Sequence, residues 1–179
     1  MNSITTIIDK SDYDIYDDFL NFQIDGYFLD EKLNELYPDN SYKGLIPTLL
    51  FAMEIEKESE IVWSRIFPKA IERTICPILM CPDDRDFSCT LIVAEIFCTD
   101  TEVTWKRIGV DLTRDFEPEK VGSKVEWFDK LGSFTFDKLD YEKMTKEFRI
   151  DFELKKKEWL EKSSRQRGVS PLSLSQNRA

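Results

Sequence analysis

The stretch ICPILMCPDDRDFSCTLIVAEIFCTDTEVTWKRIGV, residues 75–110, decides the fold of this chain. Between Cys89 and Cys98, apolar residues occupy both alternating sets of positions. This pattern is typical of a strand with both faces buried, so we place it in the centre of a sheet that is covered on each side. Glu95 is the exception, and a carboxylate in such a strand needs a charged partner or a bend toward solvent.

Turn signals and alternation predict a strand on each side of this one. Residues 75–80 form a short strand that ends in a turn at residues 82–84. On the other side, residues 99–101 are typical of a hairpin turn that leads into a strand over residues 103–110. The inward positions of that strand change parity along its length, so we expect a β-bulge near Lys106-Arg107.

Helical patterns precede the predicted sheet. Residues 16–23 fit a short helix, with an irregular lid as the alternative, and residues 29–37 have the spacing of an amphipathic helix. A second helix is predicted to begin at Pro47 and to end in the charged residues 54–60. Residues 61–66 fit a strand and a helix end equally well.

Two more strands and a long helix follow the central stretch. Residues 124–128 and 134–136 alternate as strands, and a helical period then continues to about Lys162. The chain is therefore predicted to be α+β, an antiparallel β-meander of about five strands with N-terminal helices and a long C-terminal helix. We expect residues 1–162 to form a single domain and residues 163–179 a flexible C-terminal tail.

The negative charge of the chain is unevenly distributed. The first 60 residues contain 14 Asp or Glu and 4 Lys or Arg, whereas the remaining residues contain 21 of each, so the first third accounts for the net charge of −10. Such a field repels nucleic acid and anionic membranes and attracts a basic partner. A solvated acidic face that only aids solubility is the alternative interpretation.

The composition excludes several classes of chemistry. The chain contains no histidine, so Ser-His-Asp and Cys-His catalysis and most zinc chemistry are excluded, while catalysis by carboxylates remains open. A secretory signal is not evident, and no apolar run approaches the roughly 18 residues that cross a bilayer. We therefore expect a soluble cytoplasmic protein that has no cofactor and is not an enzyme.

Asp83, Asp84 and Asp86 form the tightest acidic cluster. They fit a solvated turn, a metal site or an acidic contact patch, and the residues around them lack the spacing of an EF-hand loop. Asp83 and Glu95 together also fit the two carboxylates of a metal-dependent nuclease or hydrolase of the PD…(D/E)xK type. Phe97, however, stands where that arrangement requires a lysine.

The four cysteines are expected to be buried free thiols. Their spacing contains no CxxC pair, and four cysteines in a chain of 179 residues do not make a disulfide scaffold. Since no histidine can complete a ligand set, we do not predict structural zinc.

Several segments resemble, in order and spacing, immunity proteins of bacterial contact-dependent growth inhibition and related polymorphic toxin systems. These segments are CPDDRDFSCTLIVAEI, VTWKRIGVD, VGSKVEWF and FTFDKLDYEKMTKEF, with IDGYFLDEKLNELY and GLIPTLL upstream. The resemblance covers about Ile24 to Phe152. It implies a cytoplasmic protein that binds one cognate toxin domain, often a nuclease, and blocks it.

Charge alone suggests which residues would bind such a partner. We expect an acidic surface facing a basic toxin domain, with aromatic side chains as anchors. The candidate residues are Asp12, Tyr13, Asp14, Tyr16, Asp17, Asp18, Asp83, Asp84 and Asp86. The alternatives are the metal-dependent nuclease or hydrolase and a structural subunit of a larger assembly.

Overall fold

The computed structural model describes residues 1–10, 18–115 and 117–166. Within them the chain forms nine strands and three α-helices, which confirms the predicted α+β class. The elements are β1 (Ile4–Asp9), β2 (Phe19–Ile24), β3 (Tyr27–Phe28), α1 (Leu29–Leu36), β4 (Ile46–Pro47), α2 (Glu56–Arg65), β5 (Arg73–Met80), β6 (Leu91–Cys98), β7 (Glu102–Asp111), β8 (Val125–Trp127), β9 (Phe134–Asp137) and α3 (Lys138–Gln166).

The strands form two antiparallel sheets. The larger sheet has the order β4-β5-β6-β7-β8, and the smaller sheet has the order β1-β2-β3. Strand β9 also pairs with β7, along residues 102–105, while β8 pairs with residues 109–111 of the same strand. Asn2 links the sheets, because its main-chain N–H donates to the carbonyl oxygen of Thr135 at 2.7 Å.

Strand β6 is central and covered on both faces, as the sequence predicts. Ile92, Ala94 and Ile96 belong to the main core, to which the smaller sheet, α1 and α3 also contribute. Leu91 and Val93 belong to a second, smaller cluster that includes side chains of α2 and of the segment before β8. Successive side chains of a strand point to opposite faces. The main core therefore covers one face of β6 and the second cluster covers the other.

Trp105 of β7 connects the large sheet to the helices. Its ring makes edge contacts with Phe22, Phe136 and Tyr141, at centroid distances of 5.8, 5.4 and 6.2 Å. Its indole N–H donates to the hydroxyl oxygen of Tyr141 at 3.1 Å, and that hydroxyl donates to the carbonyl oxygen of Ile66. The buried polar groups are therefore satisfied, and β7, α3 and the end of α2 are held together.

The predicted β-bulge is confirmed at the expected place. Glu95 pairs with Arg107 and Ile96 pairs with Trp105, so Lys106 is the extra residue in β7. The extra residue changes which face the following side chains occupy. Trp105 and Ile108 are consequently both buried, although they are three positions apart.

The prediction of a helix over residues 16–23 is wrong for the part that the structure describes. Residues 19–24 form strand β2, which pairs with β1 over its whole length. Phe22 and Ile24 are buried, as expected for every second residue of a strand with one face on the core. The predicted meander lacked this smaller sheet, because Tyr16, Phe19, Leu20 and Gln23 have the spacing of a helical face.

The predicted helix from Pro47 is also wrong. Pro47 lies in β4, and the main-chain N–H of Thr48 continues the pairing by donating to the carbonyl oxygen of Ile78. Helix α2 begins at Glu56. The charged residues 54–60, which were predicted to end a helix, therefore contain the start of one. Acidic residues in a first turn are favoured by the helix dipole, which accounts for this position. Of residues 61–66, for which the sequence left a strand and a helix end open, residues 61–65 belong to α2.

The long C-terminal helix is confirmed, and it extends past the predicted end at Lys162. Helix α3 continues to Gln166, so the first residues of the expected tail are helical. Residues 167–179 lie outside the described residues. In the described part of the chain, none of the helices is both long and apolar enough to cross a lipid bilayer.

Gly109 offers a direct test of the close contact between β7 and β8. A Cβ at this position would lie 2.7 Å from Cγ1 of Val125 and 2.9 Å from Cα of Trp127, and closer still to the carbonyl oxygen of Glu126. We expect Gly109→Ala to lower the free energy of unfolding by about 1–3 kcal/mol in urea titrations, because β8 must move away. Gly132→Ala is the control, since its Cβ would meet open space; equal losses in both variants would contradict the packing.

Candidate functional site

The loop between β5 and β6, residues 81–90, carries the predicted acidic cluster and is called the acidic loop below. Asp83 and Asp84 are exposed, and Asp86 is half-buried. The main-chain N–H of Cys81 donates to the carbonyl oxygen of Thr90 at 3.0 Å, which extends the β5–β6 pairing into the loop. The chain then turns back, and the N–H of Arg85 donates to the carbonyl oxygen of Cys81 at 3.2 Å.

Side chains on either side of the loop hold it in place. The carboxylate of Glu58 on α2 accepts a hydrogen bond from the main-chain N–H of Phe87 at 3.0 Å. The guanidinium of Arg85 lies 2.6 Å from the carboxylate of Glu54. Within the loop, Asp86 accepts hydrogen bonds from the main-chain N–H and the hydroxyl of Ser88. The exposed aspartates therefore project from an ordered backbone.

Glu58 is buried, with 5% of its surface exposed. Burial raises the pKa of its carboxyl group to about 7, because water no longer solvates the charge. The hydrogen bond from the Phe87 N–H opposes this rise in pKa, and the negative charge of Asp86 adds to it. Glu58, which holds the acidic loop to α2 through the Phe87 N–H, therefore changes its protonation state near neutral pH.

A cavity of about 310 Å³ lies beside the acidic loop. Pro82 and Arg85 of the loop line it, together with Phe51 and Asp18. Its other charged lining residues are Asp9, Lys10, Asp30, Glu31, Lys43, Lys155 and Glu158. The walls of the cavity therefore carry both signs of charge, among apolar side chains such as Phe28 and Leu50.

Asp30 is the buried acid of this cavity. Its carboxylate accepts a hydrogen bond from the main-chain N–H of Gly44 at 2.8 Å. Burial raises the pKa of Asp30 above its usual value, and the hydrogen bond from Gly44 partly offsets that rise. This bond connects the first turn of α1 to the segment that leads into β4.

The predicted binding residues fall into three groups. Asp12, Tyr13, Asp14, Tyr16 and Asp17 lie outside the described residues. Asp18 and Lys10, which flank this segment of the chain, both line the cavity. Asp83, Asp84 and Asp86 lie in the acidic loop, whose neighbouring residues Pro82 and Arg85 line the same cavity. The structure therefore brings Asp18, the described residue of the first group, and the acidic loop to one cavity.

A second, larger groove continues from the cavity between α2 and α3. Its volume is about 940 Å³, and it shares Phe51 and Arg85 with the cavity. Trp63 and Trp159 line it, and the guanidinium of Arg149 lies 4.2 Å from the centre of the Trp63 ring. The sequence places Trp159 on the apolar stripe of α3 but does not reveal this groove, which depends on the packing of two helices.

Glu95 is held by two arginines. Its carboxylate lies 3.2 Å from Arg73 and 2.6 Å from Arg107. This satisfies the requirement for a charged partner in a central strand. Asp83 lies in the loop before β6, and the stretch from Leu91 to Glu95 within β6 alone spans about 13 Å. The two carboxylates of the predicted nuclease pair are therefore not brought together.

The cysteines form two classes. Cys76 and Cys98 are buried free thiols, as predicted. Cys81 and Cys89 are only half-buried, and their sulfur atoms and a carboxylate oxygen of Asp84 all lie within 4.8 Å of one another. Burial, followed by hydrogen bonding with Cys81, raises the pKa of the Cys89 thiol to about 11. Sequence spacing alone missed this cluster.

Comparison with known proteins does not assign the chain to a family. A scan of protein-family models, a search of curated proteins and a search of solved structures gave no match. The functional proposal therefore rests on the resemblance of the segments quoted above and on the charge and geometry of this chain.

Replacing Glu58 tests the titratable attachment of the acidic loop. The pKa of Glu58 is about 7 in the folded protein and 4.5 without burial, so the folded state binds the proton more tightly. The free energy of unfolding should therefore fall as pH rises from about 4.5 to 7. Glu58→Gln removes this titration, so its stability relative to the wild type should rise by about 2–3 kcal/mol between pH 5 and pH 8, at roughly 1.4 kcal/mol per unit of pKa shift. Urea titrations at several pH values measure this.

Glu60→Gln is the matched control for Glu58, because Glu60 is exposed on the same helix. We expect it to keep the wild-type pH dependence. An unchanged pH dependence in Glu58→Gln would contradict the assigned role of Glu58.

Replacing both arginines tests the pairing of Glu95. Arg73→Gln with Arg107→Gln leaves a buried carboxylate without a cationic partner, and we expect the free energy of unfolding to fall by about 2 kcal/mol. Both arginines are partly exposed, so we expect a smaller loss of stability than the removal of a fully buried ion pair would cause. Adding Glu95→Gln should restore part of the loss; no recovery would show that the arginines act independently of Glu95.

Proposed function

We propose that this protein is an immunity protein that binds and neutralises the basic domain of a bacterial toxin in the cytoplasm. One observation supports it most strongly. The first 60 residues contain the whole net charge of −10, and the cavity joins the described ends of their most acidic segment to the acidic loop. A local concentration of negative charge favours a partner of opposite sign.

The charge asymmetry suits fast capture of a toxin. Opposite potentials on two proteins steer their encounter and raise the association rate at low salt, and this advantage declines as salt screens the charges. A protective protein has to bind before the toxin acts, so a high association rate is useful. A toxin that acts on nucleic acid would itself present a basic surface.

The order of the acidic loop suits specific binding. The hydrogen bond from the Phe87 N–H to the Glu58 carboxylate and those from Ser88 to Asp86 hold the backbone that presents Asp83 and Asp84. A loop that is already ordered loses little conformational entropy when a partner binds. The exposed aspartates can therefore contact basic side chains at fixed positions.

The cavity and the groove offer places for anchoring side chains. Asp18, Asp30 and Glu31 on the wall of the cavity can accept a lysine or arginine side chain of the partner. Trp159 is 54% exposed and lies in the adjoining groove. Aromatic residues are enriched among those that contribute most to binding energy, so Trp159 joins the predicted Tyr13 and Tyr16 as a proposed anchor.

The genomic neighbourhood and a growth assay test this function. We expect an adjoining gene to encode a large secreted protein whose C-terminal domain stops growth when it is produced in the cytoplasm. Production of the present protein should restore growth, and the purified pair should form a complex. A harmless neighbouring protein, or a toxic domain that this protein neither binds nor suppresses, would contradict the proposal.

Charge reversal tests the proposed surface. We expect Asp18→Lys with Asp83→Lys to weaken binding of that toxin domain at least tenfold, about 1.4 kcal/mol, and to reduce the dependence of the association rate on salt. Surface plasmon resonance at two salt concentrations measures both.

Asp39→Lys with Asp100→Lys is the matched control. Both residues are exposed, neither lines the cavity, and the change in net charge is the same. If the two double variants lose affinity equally, the effect is one of net charge and the proposed surface is wrong.

A further inference from the structure

The acidic loop contains two thiols that the proposed function does not use, and Asp84 lies beside them. Two sulfur atoms and one carboxylate oxygen, from Cys81, Cys89 and Asp84, lie within 4.8 Å of one another. The thiol of Cys89 is within hydrogen-bonding reach of both Cys81 and Asp84. Three potential ligand atoms therefore converge on one point at the surface of the molecule.

The β5–β6 hairpin holds the two cysteines together. Met80 pairs with Leu91, and the Cys81 N–H bond to Thr90 places Cys81 across from the residue that follows Cys89. Pairing with Thr90 therefore fixes the position of Cys81 at the start of the loop. In a regular antiparallel ladder the side chains of Cys81 and Cys89 would point to opposite faces, so the irregular turn that ends at Cys89 is what brings the two sulfur atoms together.

The tip of the loop brings in the third group. Arg85 has a φ of 52°, in the left-handed region, and its N–H donates to the carbonyl oxygen of Cys81. This contact turns the chain back toward its own start, so that Asp84 approaches the sulfur atoms. The same backbone leaves Asp83 exposed and outside the cluster.

We propose that Cys81, Asp84 and Cys89 bind a zinc ion. Two thiolates and a carboxylate are ligands that zinc accepts, whereas magnesium and calcium prefer oxygen ligands alone. On binding, each thiol gives its proton to solvent and the sulfur coordinates the metal. Water completes the tetrahedron as the fourth ligand, because the cluster lies at the surface.

The observed geometry is close to that of a zinc site. Zinc–sulfur bonds of about 2.3 Å in a tetrahedron put the two sulfur atoms about 3.8 Å apart. The ligand atoms, already within 4.8 Å, need to move together by about 1 Å or less. Rotation of the exposed Asp84 side chain and small changes in the cysteine side chains are sufficient, and the hairpin backbone can stay in place.

A bound zinc ion would join both ends of the acidic loop to its tip. Coordination would also neutralise the charge of Asp84, so that Asp83 would be the remaining exposed acid of the turn. This inference does not rest on the proposed toxin-binding function, since metal binding can be measured on the isolated protein.

Titration of the full, reduced chain with Zn²⁺ and Co²⁺ tests the site. We expect one ion per chain, with the near-ultraviolet absorption of cobalt bound to thiolate, and a rise in the melting temperature with Zn²⁺ but not with Mg²⁺. Cys81→Ser and Cys89→Ser should each weaken binding at least a hundredfold and remove the thiolate absorption. Asp84→Asn should weaken binding at least tenfold.

Two control variants keep the cluster intact. Asp83→Asn changes an exposed neighbouring acid, and Cys98→Ala removes a buried thiol elsewhere; both should bind zinc as the wild type does. Zinc binding of wild-type affinity in Cys89→Ser, or loss of zinc binding in Cys98→Ala, would overturn the assignment. The absence of zinc binding in the reduced wild type would also overturn it. The same holds if Cys81 and Cys89 form a disulfide in the presence of reductant and zinc does not bind.

Discussion

The burial of β6 on both faces is the constraint on which the rest of the structure depends. A single layer cannot cover such a strand, so α2 is needed on one side and the smaller sheet with α1 and α3 on the other. Each Leu, Ile or Val that is fully removed from water contributes about 1.5–3 kcal/mol. Glu95 is the one charged residue of β6, and its pairing with Arg73 and Arg107 makes that burial tolerable.

The elements that are predictable from the sequence are those whose pattern follows from this burial. The doubly apolar strand β6, the hairpin into β7 and the bulge at Lys106 all follow from the alternation of apolar residues. Helix α3 follows from its long helical period. Local patterns were misleading elsewhere: residues 16–23 have the spacing of a helical face, and Pro47 suggested a helix start where the chain pairs with β5.

The candidate site was predictable in its parts but not in its arrangement. Asp83, Asp84 and Asp86 are visible in the sequence as an acidic turn, and the acidic segment near the N terminus is equally visible. That Asp18 and the acidic loop line one cavity depends on the packing of distant elements, which spacing cannot reveal. The approach of Cys81 to Cys89 likewise depends on the irregular turn of the acidic loop, since seven residues separate them.

We propose that the acidic loop and the flanks of residues 11–17 form the surface that binds a basic toxin domain. Hydrogen–deuterium exchange of the full chain, free and bound to that domain, tests it most directly. We expect slower exchange in residues 81–90, beside Asp18 and around Phe51, with little change at the opposite end of β6 near Asp100. Slower exchange confined to that opposite end, with the acidic loop unchanged, would contradict it.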